Sequence, residues 1–367
     1  MGSDRLEKHA AHFLLLPELA VSPPNEAIVS ALRNAGYQVD LFAPGEKPDA
    51  SYYGPGVNGH IVEYGRGWLL KNLLSPRWGK YRVFSATAED PFGVAGPLAF
   101  VHRRSLFLLV DEIKSGSYAG DASGLWKSIY RWAIRRAVFC IVNDESRIEL
   151  LRDYAGIEDG SRIIVYPGCY REAPAAFERT TLRAKWGIPG DALVVGVSGG
   201  FNETAGASWV IESFKRDRSI YLVVQAVNLS PFARLLLENI EGSERMFVEP
   251  SRLGWREAWS SASAIDIGVA IYLNKAPQFQ RMGTSSNRLC MFLAMGVPVI
   301  ASRQPSFEFI ERYGCGVLVN DETEFRAAVG YIRDRLEEMR ENALLCAREY
   351  IDPSGRFESL KGRIEEL

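Results

Sequence analysis

The sequence predicts an α/β protein built from two doubly wound domains, each a parallel sheet covered by helices on both faces. Three observations carry this. Short continuous apolar runs, suited to strands buried on both faces, alternate with stretches of helical periodicity. The alternation restarts after a segment rich in Pro, Gly and charge. Finally, 367 residues with 47% hydrophobic content are enough to bury two cores of ordinary size.

In chain order, the first strand is read in "HFLLLP", 12–17, followed by the loop "ELAVSPP" and a helical stretch "NEAIVSALRNAG" that Gly36 stops. "YQVDLFAP" then returns as a strand and completes a β-α-β unit. Further strands are expected at "YRVFSA", "LFLLVD", "FCIVND" and "RIIVYPG", with helical stretches such as 125–136 between them. "GCYREAPAAFERTTLRAKWGIPGD" reads as a linker. Behind it, "ALVVGVSGG", "SIYLVVQAV", "RMFVEPS", "AIDIGVAI", "VPVIAS" and "GVLV" supply a second set of strands. The expected domains are 1–174 and 175–350, with a charged amphipathic helix at 351–367 that crosses back to brace the first.

Composition narrows the function classes. Lys+Arg 43 against Asp+Glu 45 gives a formal charge of -2, so nothing global points to nucleic acid and any anionic partner must be recognised locally. The five cysteines are dispersed without a CxxC pair and read as buried thiols of a reducing compartment. Four histidines offer no metal-ligand spacing. The N-terminal apolar run is broken by Pro17 and Glu18 and lacks a signal-peptide pattern, and no run of about 18 apolar residues could span a bilayer. A cytoplasmic location is expected, with attachment to the inner face of the membrane left open.

Ligands of doubly wound sheets sit beyond the carboxyl ends of the strands, and with two domains the default site is the cleft between them. The first strand is followed by "PELAVSPPNEA", which is not the glycine-rich dinucleotide turn, and no P-loop is present. In "GTSSNRLCMFLAMGVPVIAS", 283–302, Ser285 reads as an N-cap. Leu289, Phe292, Leu293 and Met295 are spaced for a core-facing helix, and Gly296 ends it before a buried strand. Its first turn, Ser285, Ser286, Asn287 and Arg288, offers hydroxyls, an amide and free N–H groups where the helix dipole favours an anion. Lys275 and Arg281 lie just upstream, and a diphosphate would fit there. The same residues would also serve simply to cap a core helix.

"SSNRLCMFLAMGVPVIAS" followed by "FEFIERYGCGVLV" resembles the donor-site signature of GT-B glycosyltransferases, most closely the family-four group of retaining enzymes. "RRAVFCIVNDESRIELLRDYAGI" and "RIIVYPG" resemble, more weakly, the segment that closes the first domain of that family. The resemblance implies a GT-B fold of two Rossmann-like domains facing across a cleft. It also implies a nucleotide-sugar donor of UDP or GDP type on the second domain, an acceptor on the first, and no metal. Two departures stand out. The family commonly carries a pair of glutamates at the positions of Gly283 and Met291, where neither side chain here is a carboxylate. It also often places basic residues after the first strand of the second domain, whereas "SGGFNETAGAS" has none. Lys275, Arg281 and Arg288 are the nearest substitutes. The family's later glutamate falls at Glu308, or at Glu311 if the register shifts.

Donor contacts are therefore expected from Gly199, Gly200, Lys275, Arg281, Ser285, Ser286, Asn287, Arg288 and Glu308, the two glycines allowing close backbone approach or simply making a tight turn. Asp111 and Glu112, ending the strand "SLFLLVDEIKSG", are the candidate acids for an acceptor hydroxyl, with Glu89 and Asp90 as a second pair. "GWLLKNLLSPRWGKYR" and "LWKSIYRWAIRRAVF" mix Trp and Leu with basic residues, and such a face suits a membrane surface or a lipid-linked acceptor as well as an ordinary packed helix. The function expected is transfer of a sugar from a nucleotide donor to a glycan, lipid-linked or small-molecule acceptor, in polysaccharide or glycoconjugate assembly. Two rivals share the plan: an inactive GT-B subunit that scaffolds an active partner, and a nucleotide-sugar 2-epimerase.

Overall fold

The computed structural model describes residues 8–113, 124–225, 229–240, 243–249 and 253–367. The chain divides into two compact units, one comprising 1–171 with 354–367 and the other 172–353. The first unit holds strands β1 (Lys8–Phe13), β2 (Tyr37–Ala43), β3 (Val57–Ile61), β4 (Tyr81–Thr87), β5 (Ser105–Leu109), β6 (Phe139–Val142) and β7 (Ile163–Val165). Its helices are α1 (Pro23–Asn34), α2 (Arg66–Asn72), α3 (Glu89–Val101), α4 (Gly124–Arg136) and α5 (Ser146–Ala155). The second unit holds β8 (Leu193–Ser198), β9 (Ile220–Gln225), β10 (Met246–Val248), β11 (Ile267–Ala270), β12 (Val299–Ser302) and β13 (Gly316–Val319). Around them lie α6 (Arg179–Lys185), α7 (Ala207–Arg216), α8 (Pro231–Glu238), α9 (Trp255–Ser261), α10 (Asn287–Ala294), α11 (Glu308–Tyr313), α12 (Glu322–Arg333) and α13 (Leu336–Cys346). The terminal helix α14 (Pro353–Glu365) buries Phe357, Leu360 and Ile364 in the same cluster as Phe139 and Ile141 of the first unit.

Both sheets are parallel among the described residues. Their strand orders are β3-β2-β1-β4-β5-β6-β7 and β10-β9-β8-β11-β12-β13. Each therefore reverses direction once, between β1 and β4 in the first unit and between β8 and β11 in the second. At such a point the connecting helices leave on opposite faces and a crevice opens at the carboxyl ends. The apolar runs read as strands are strands, because a strand covered on both faces has no polar side to show.

Three departures from the sequence reading have a clear physical cause. β1 starts at Lys8 and ends at Phe13, earlier than "HFLLLP", since its pairing with β2 extends through the polar residues Lys8 and His9. α1 opens at Pro23, not Asn25, with proline in the first turn where its missing N–H costs nothing. The edge strand β3, "VNGHI", carries no apolar run and pairs only with β2. The last residues of "SIYLVVQAV" and "RMFVEPS" lie outside the described residues.

Two buried polar networks hold the reversal points. In the first unit His12 is fully buried and faces its strand partner Ser85, Nδ1 to Oγ 2.8 Å, while Nε2 lies 2.9 Å from Asn25 Oδ1. Thr87 Oγ1 donates to the same Asn25 oxygen at 2.5 Å, so His12 shares that acceptor as the Nε2–H tautomer. In the second unit Asp266, 1% exposed, accepts from Arg183 and Arg340 at 2.6 Å each, from Arg179, and from the Val194 N–H at 2.8 Å. This carboxylate ties the amino ends of β8 and β11 to α6 and α13.

Both networks generate predictions. Burial lowers His12 from 6.5 to about 4, against the opposing hydrogen bond to Asn25. Between those values the unfolded chain binds the proton more readily, so stability is full above pH 6.5 and falls as the pH drops toward 4. The loss should approach about 3 kcal/mol, read as a difference in urea unfolding between wild type and the non-titrating His12→Gln. Parallel pH curves for the two proteins would contradict a neutral buried imidazole. Asp266→Asn should cost about 3–5 kcal/mol by leaving Arg179 and Arg183 without their counter-charge and Arg340 with only Glu337 at 3.9 Å. Thermal and chemical unfolding measure it, and an unchanged midpoint would mean that solvent neutralises them instead.

Candidate functional site

In the second unit the carboxyl end of β8 runs into Gly199 and Gly200. Gly199 has φ +85, a conformation open chiefly to glycine, and its N–H donates to the Gln225 carbonyl at 3.0 Å. The turn is thus pinned to the end of β9. Across the reversal point the loop after β11 leads through Tyr272, Lys275 and Arg281 to a single 3-10 turn at Gly283–Ser285, and α10 follows.

That 3-10 turn corrects the cap assignment. It delays the α-helix by one residue, so the N-cap is Ser286, in extended backbone, and its Oγ accepts from the Leu289 N–H at 3.2 Å. Ser286 Oγ also lies 2.5 Å from the Tyr272 hydroxyl. This joins the β11 loop to the head of α10. Ser285, displaced from the cap, has a buried Oγ with no hydrogen-bond partner among the described residues.

Arg288 spans the reversal point. From the first turn of α10 its Nη2 donates to the Gly200 carbonyl at 2.9 Å, and a β-carbon at Gly199 would sit 3.3 Å from the same nitrogen. The guanidinium lies 5.6 Å from the centre of the Tyr272 ring. Its Nη1 is buried without a partner among the described residues. The loop "SGGFNETAGAS" has no basic residue of its own, and Arg288 brings a cation to it from α10. The unpaired Nη1 and Ser285 Oγ fit a bound group rich in acceptors, since a buried guanidinium nitrogen left unsatisfied is costly.

The other predicted donor residues are distributed around this centre. Asn287 is the first residue of α10. Lys275 is exposed and Arg281 half-buried in the β11–α10 loop. Glu308, exposed, opens α11, and its turn abuts Gly283, whose N–H donates to Ser306 Oγ at 3.1 Å. Glu311 instead pairs with Arg303 at 3.0 Å on the surface. Met291 is only 2% exposed and packs in the core, and Gly283 is buried at φ +42. Neither position supplies an acid.

In the first unit the four candidate acids fall at the carboxyl ends of the neighbouring strands β4 and β5. Glu89 and Asp90 open α3. Glu89 accepts from the Tyr154 hydroxyl at 3.1 Å and Asp90 from the Tyr130 hydroxyl at 2.6 Å. Asp111 Oδ1 accepts from the Glu112 N–H at 3.0 Å, and its own carbonyl accepts from Arg147. Burial pushes the Asp111 carboxyl up to about 7, and the adjacent Glu112 carboxylate adds to the rise. An acid poised there can change protonation state near neutrality. Between Thr87 and Glu89, Ala88 adopts φ 71, ψ 167, a region otherwise almost reserved for glycine and worth about 1–3 kcal/mol of strain. Such strain concentrates at working sites, and here the His12, Asn25 and Thr87 network borders it.

Sequence reasoning missed Tyr272, Ser286 as the cap, and the network around His12. A tyrosine in a loop carries no signal of its own, and His12 meets Ser85 across 73 residues of chain.

No protein-family model and no curated protein sequence matches the chain. Solved structures do match it in fold. Anabaena HepE in complex with UDP-glucose superposes with a TM-score of 0.74 at 13% identity, covering 98% of this chain and 100% of that one. Sucrose-phosphate synthase from Thermosynechococcus elongatus gives 0.72 at 14% identity, over 98% of each chain. A protein described as a UDP-N-acetylglucosamine 2-epimerase from Listeria monocytogenes gives 0.66 at 12% identity, over 98% of each. The architecture is GT-B, and because that fold serves both transferases and epimerases, the choice between them falls to the site.

Proposed function

We propose that the chain is a glycosyltransferase that takes a sugar from a uridine-type nucleotide donor held by the second unit. The observation that carries this reading is Arg288, which reaches from the head of α10 to the Gly199–Gly200 turn with one nitrogen unpaired. Sugar transfer from a nucleoside diphosphate builds negative charge on the leaving phosphates. Arg288, the first-turn N–H groups of α10, Ser285, Ser286 and Asn287 together suit that charge, with Lys275 and Arg281 as outer cations and Glu308 toward the sugar. The uridine preference draws support from HepE, whose complex holds UDP-glucose.

On the first unit, Asp111 is assigned as the group that orients or deprotonates an acceptor hydroxyl, with Glu112 raising its proton affinity. Retention of configuration is proposed on the family-four resemblance alone. The acceptor is a glycan, a lipid-linked sugar or a small molecule, used in the cytoplasm for surface polysaccharide or glycoconjugate assembly. The transferase is preferred to the epimerase because the first unit's strand ends carry carboxylates suited to a hydroxyl acceptor, while of the histidines near those ends His12 is committed to its buried network and His60 lies against Asp40 at 3.1 Å.

Calorimetric titration with UDP, GDP, ADP, TDP and CMP tests the donor assignment. UDP should bind selectively, and Arg288→Ala should weaken it about 10- to 100-fold, the scale of a lost charged hydrogen bond. Met291→Leu should leave the affinity unchanged. Equal affinities in the two variants would sink the placement of the diphosphate, and no binding by folded wild type would favour an inactive scaffold subunit. With the donor known, kcat/KM should rise with pH to half its plateau near 7, following ionisation of Asp111. Asp111→Asn should lower it about 10²- to 10⁴-fold and flatten that limb; an unaltered pH profile would remove Asp111 from the chemistry.

A further inference from the structure

The helical layer formed by α2, α3 and α4 exposes leucine and phenylalanine where a surface helix ordinarily shows polar residues. On α2, Leu69 turns inward to the core while Leu70 is 75% exposed, and Leu74, in the turn that follows the helix, is 79% exposed. Phe100 and Val101, at the end of α3, are 56% and 36% exposed. The chain positions next to Leu74 and Val101 are joined. His102 Nε2 lies 2.9 Å from the Leu73 carbonyl, joining the ends of α3 and α2. The Phe100 ring meets Trp132 of α4 at 5.5 Å, and the Arg136 guanidinium covers Phe100 at 5.3 Å. Isolated exposed leucines are ordinary, whereas a joined apolar patch rimmed by one charge sign marks a contact surface.

The charge around the apolar side chains is basic, the layer's two acids, Glu89 and Asp90, standing at the opposite, amino end of α3 and accepting from the Tyr154 and Tyr130 hydroxyls. Between Tyr64 and Ala88 the sequence has five basic residues and no acid, between Pro91 and Val110 two basic residues and no acid, and between Ala122 and Asn143 four basic residues and no acid. Yet the whole chain carries only -2. Lys71, Arg103 and Arg136 are exposed beside the apolar side chains. Nucleic acid would use the cations and leave the leucines in water. A second copy of this face would bring like charges together.

We propose that this face of the first unit docks on a bilayer rich in anionic lipid, with Leu70, Leu74 and Phe100 entering the headgroup region and the surrounding Lys and Arg side chains reaching phosphates. Exposed apolar side chains supply a hydrophobic contribution and the basic rim an electrostatic one, the pairing that interfacial binding needs. Among the described residues no helix is long and apolar enough to cross a membrane, so the contact is with the surface. The inference does not rest on the donor assignment, since it uses neither Arg288 nor Asp111.

Flotation of the full chain with phosphatidylcholine vesicles, with and without about 30% phosphatidylglycerol, tests it at low and high salt. Wild type should float only with the anionic vesicles and should be released by salt. Leu70→Ser/Leu74→Ser and, separately, Lys71→Glu/Arg136→Glu should each weaken partition roughly tenfold or more. All the altered side chains are exposed, and unchanged melting confirms folding. No flotation of wild type, equal flotation without anionic lipid, or undiminished flotation of either variant would overturn the proposal. So would self-association that the leucine variant abolishes, which would assign the face to a second copy. Binding of a homopolymeric RNA that the leucine variant leaves intact, with no flotation, would assign it to nucleic acid.

Discussion

Everything at the candidate donor site depends on the reversal of strand order between β8 and β11. A parallel sheet must be covered on both faces, and because its crossovers are right-handed the helices lie on one face while the strand order runs one way and on the other once it reverses. Where the order reverses, adjacent strand ends diverge into loops that no helix covers. Asp266 and its three arginines close the opposite, amino end of the same two strands. The site is thus open at one end because the fold is locked at the other. Arg288 acts across this gap, from a helix on one side to a turn on the other, and the Tyr272–Ser286 contact holds the head of that helix in place.

Much of the architecture was legible in the sequence because buried parallel strands have no polar face to conceal them. "ALVVGVSGG", "AIDIGVAI" and "VPVIAS" read as strands from composition alone. β3 escaped because an edge strand with one neighbour can be built from Val, Asn, Gly and His without an apolar run. The head of α10 was legible as a cap region, yet Ser285 and Ser286 are chemically identical, and only the preceding 3-10 turn decides which one caps. The partnership of Arg288 with Gly200 spans 88 residues. No local pattern announces it, although the missing cation in "SGGFNETAGAS" raised the question that it addresses.

The two units treat buried polar groups differently, and the contrast follows from charge. The His12 network is neutral, so each of its hydrogen bonds trades against water at modest net benefit, and its value lies in fixing the geometry beside the strained Ala88. The Asp266 cluster is ionic, and its partners would be exposed to a large desolvation penalty if any one were removed. Two of its arginines keep partial contact with solvent, which spreads the excess positive charge outward.

Met291 and Gly283 pose the remaining physical question, because a nucleotide sugar offers hydroxyls that a carboxylate would hold well. Gly283 lies in the left-handed region and in the interior, so a glutamate there would meet both strain and burial. Met291 is buried in a helix whose other buried positions are Leu289, Cys290, Phe292 and Leu293, and a carboxylate taken out of water there would need a partner to offset its desolvation. The local fold has therefore adapted to their absence as an intact core. Under the proposed function, a donor at this site would be held chiefly through its phosphates, by Arg288 and the head of α10, which would make charge neutralisation the dominant contribution to its recognition.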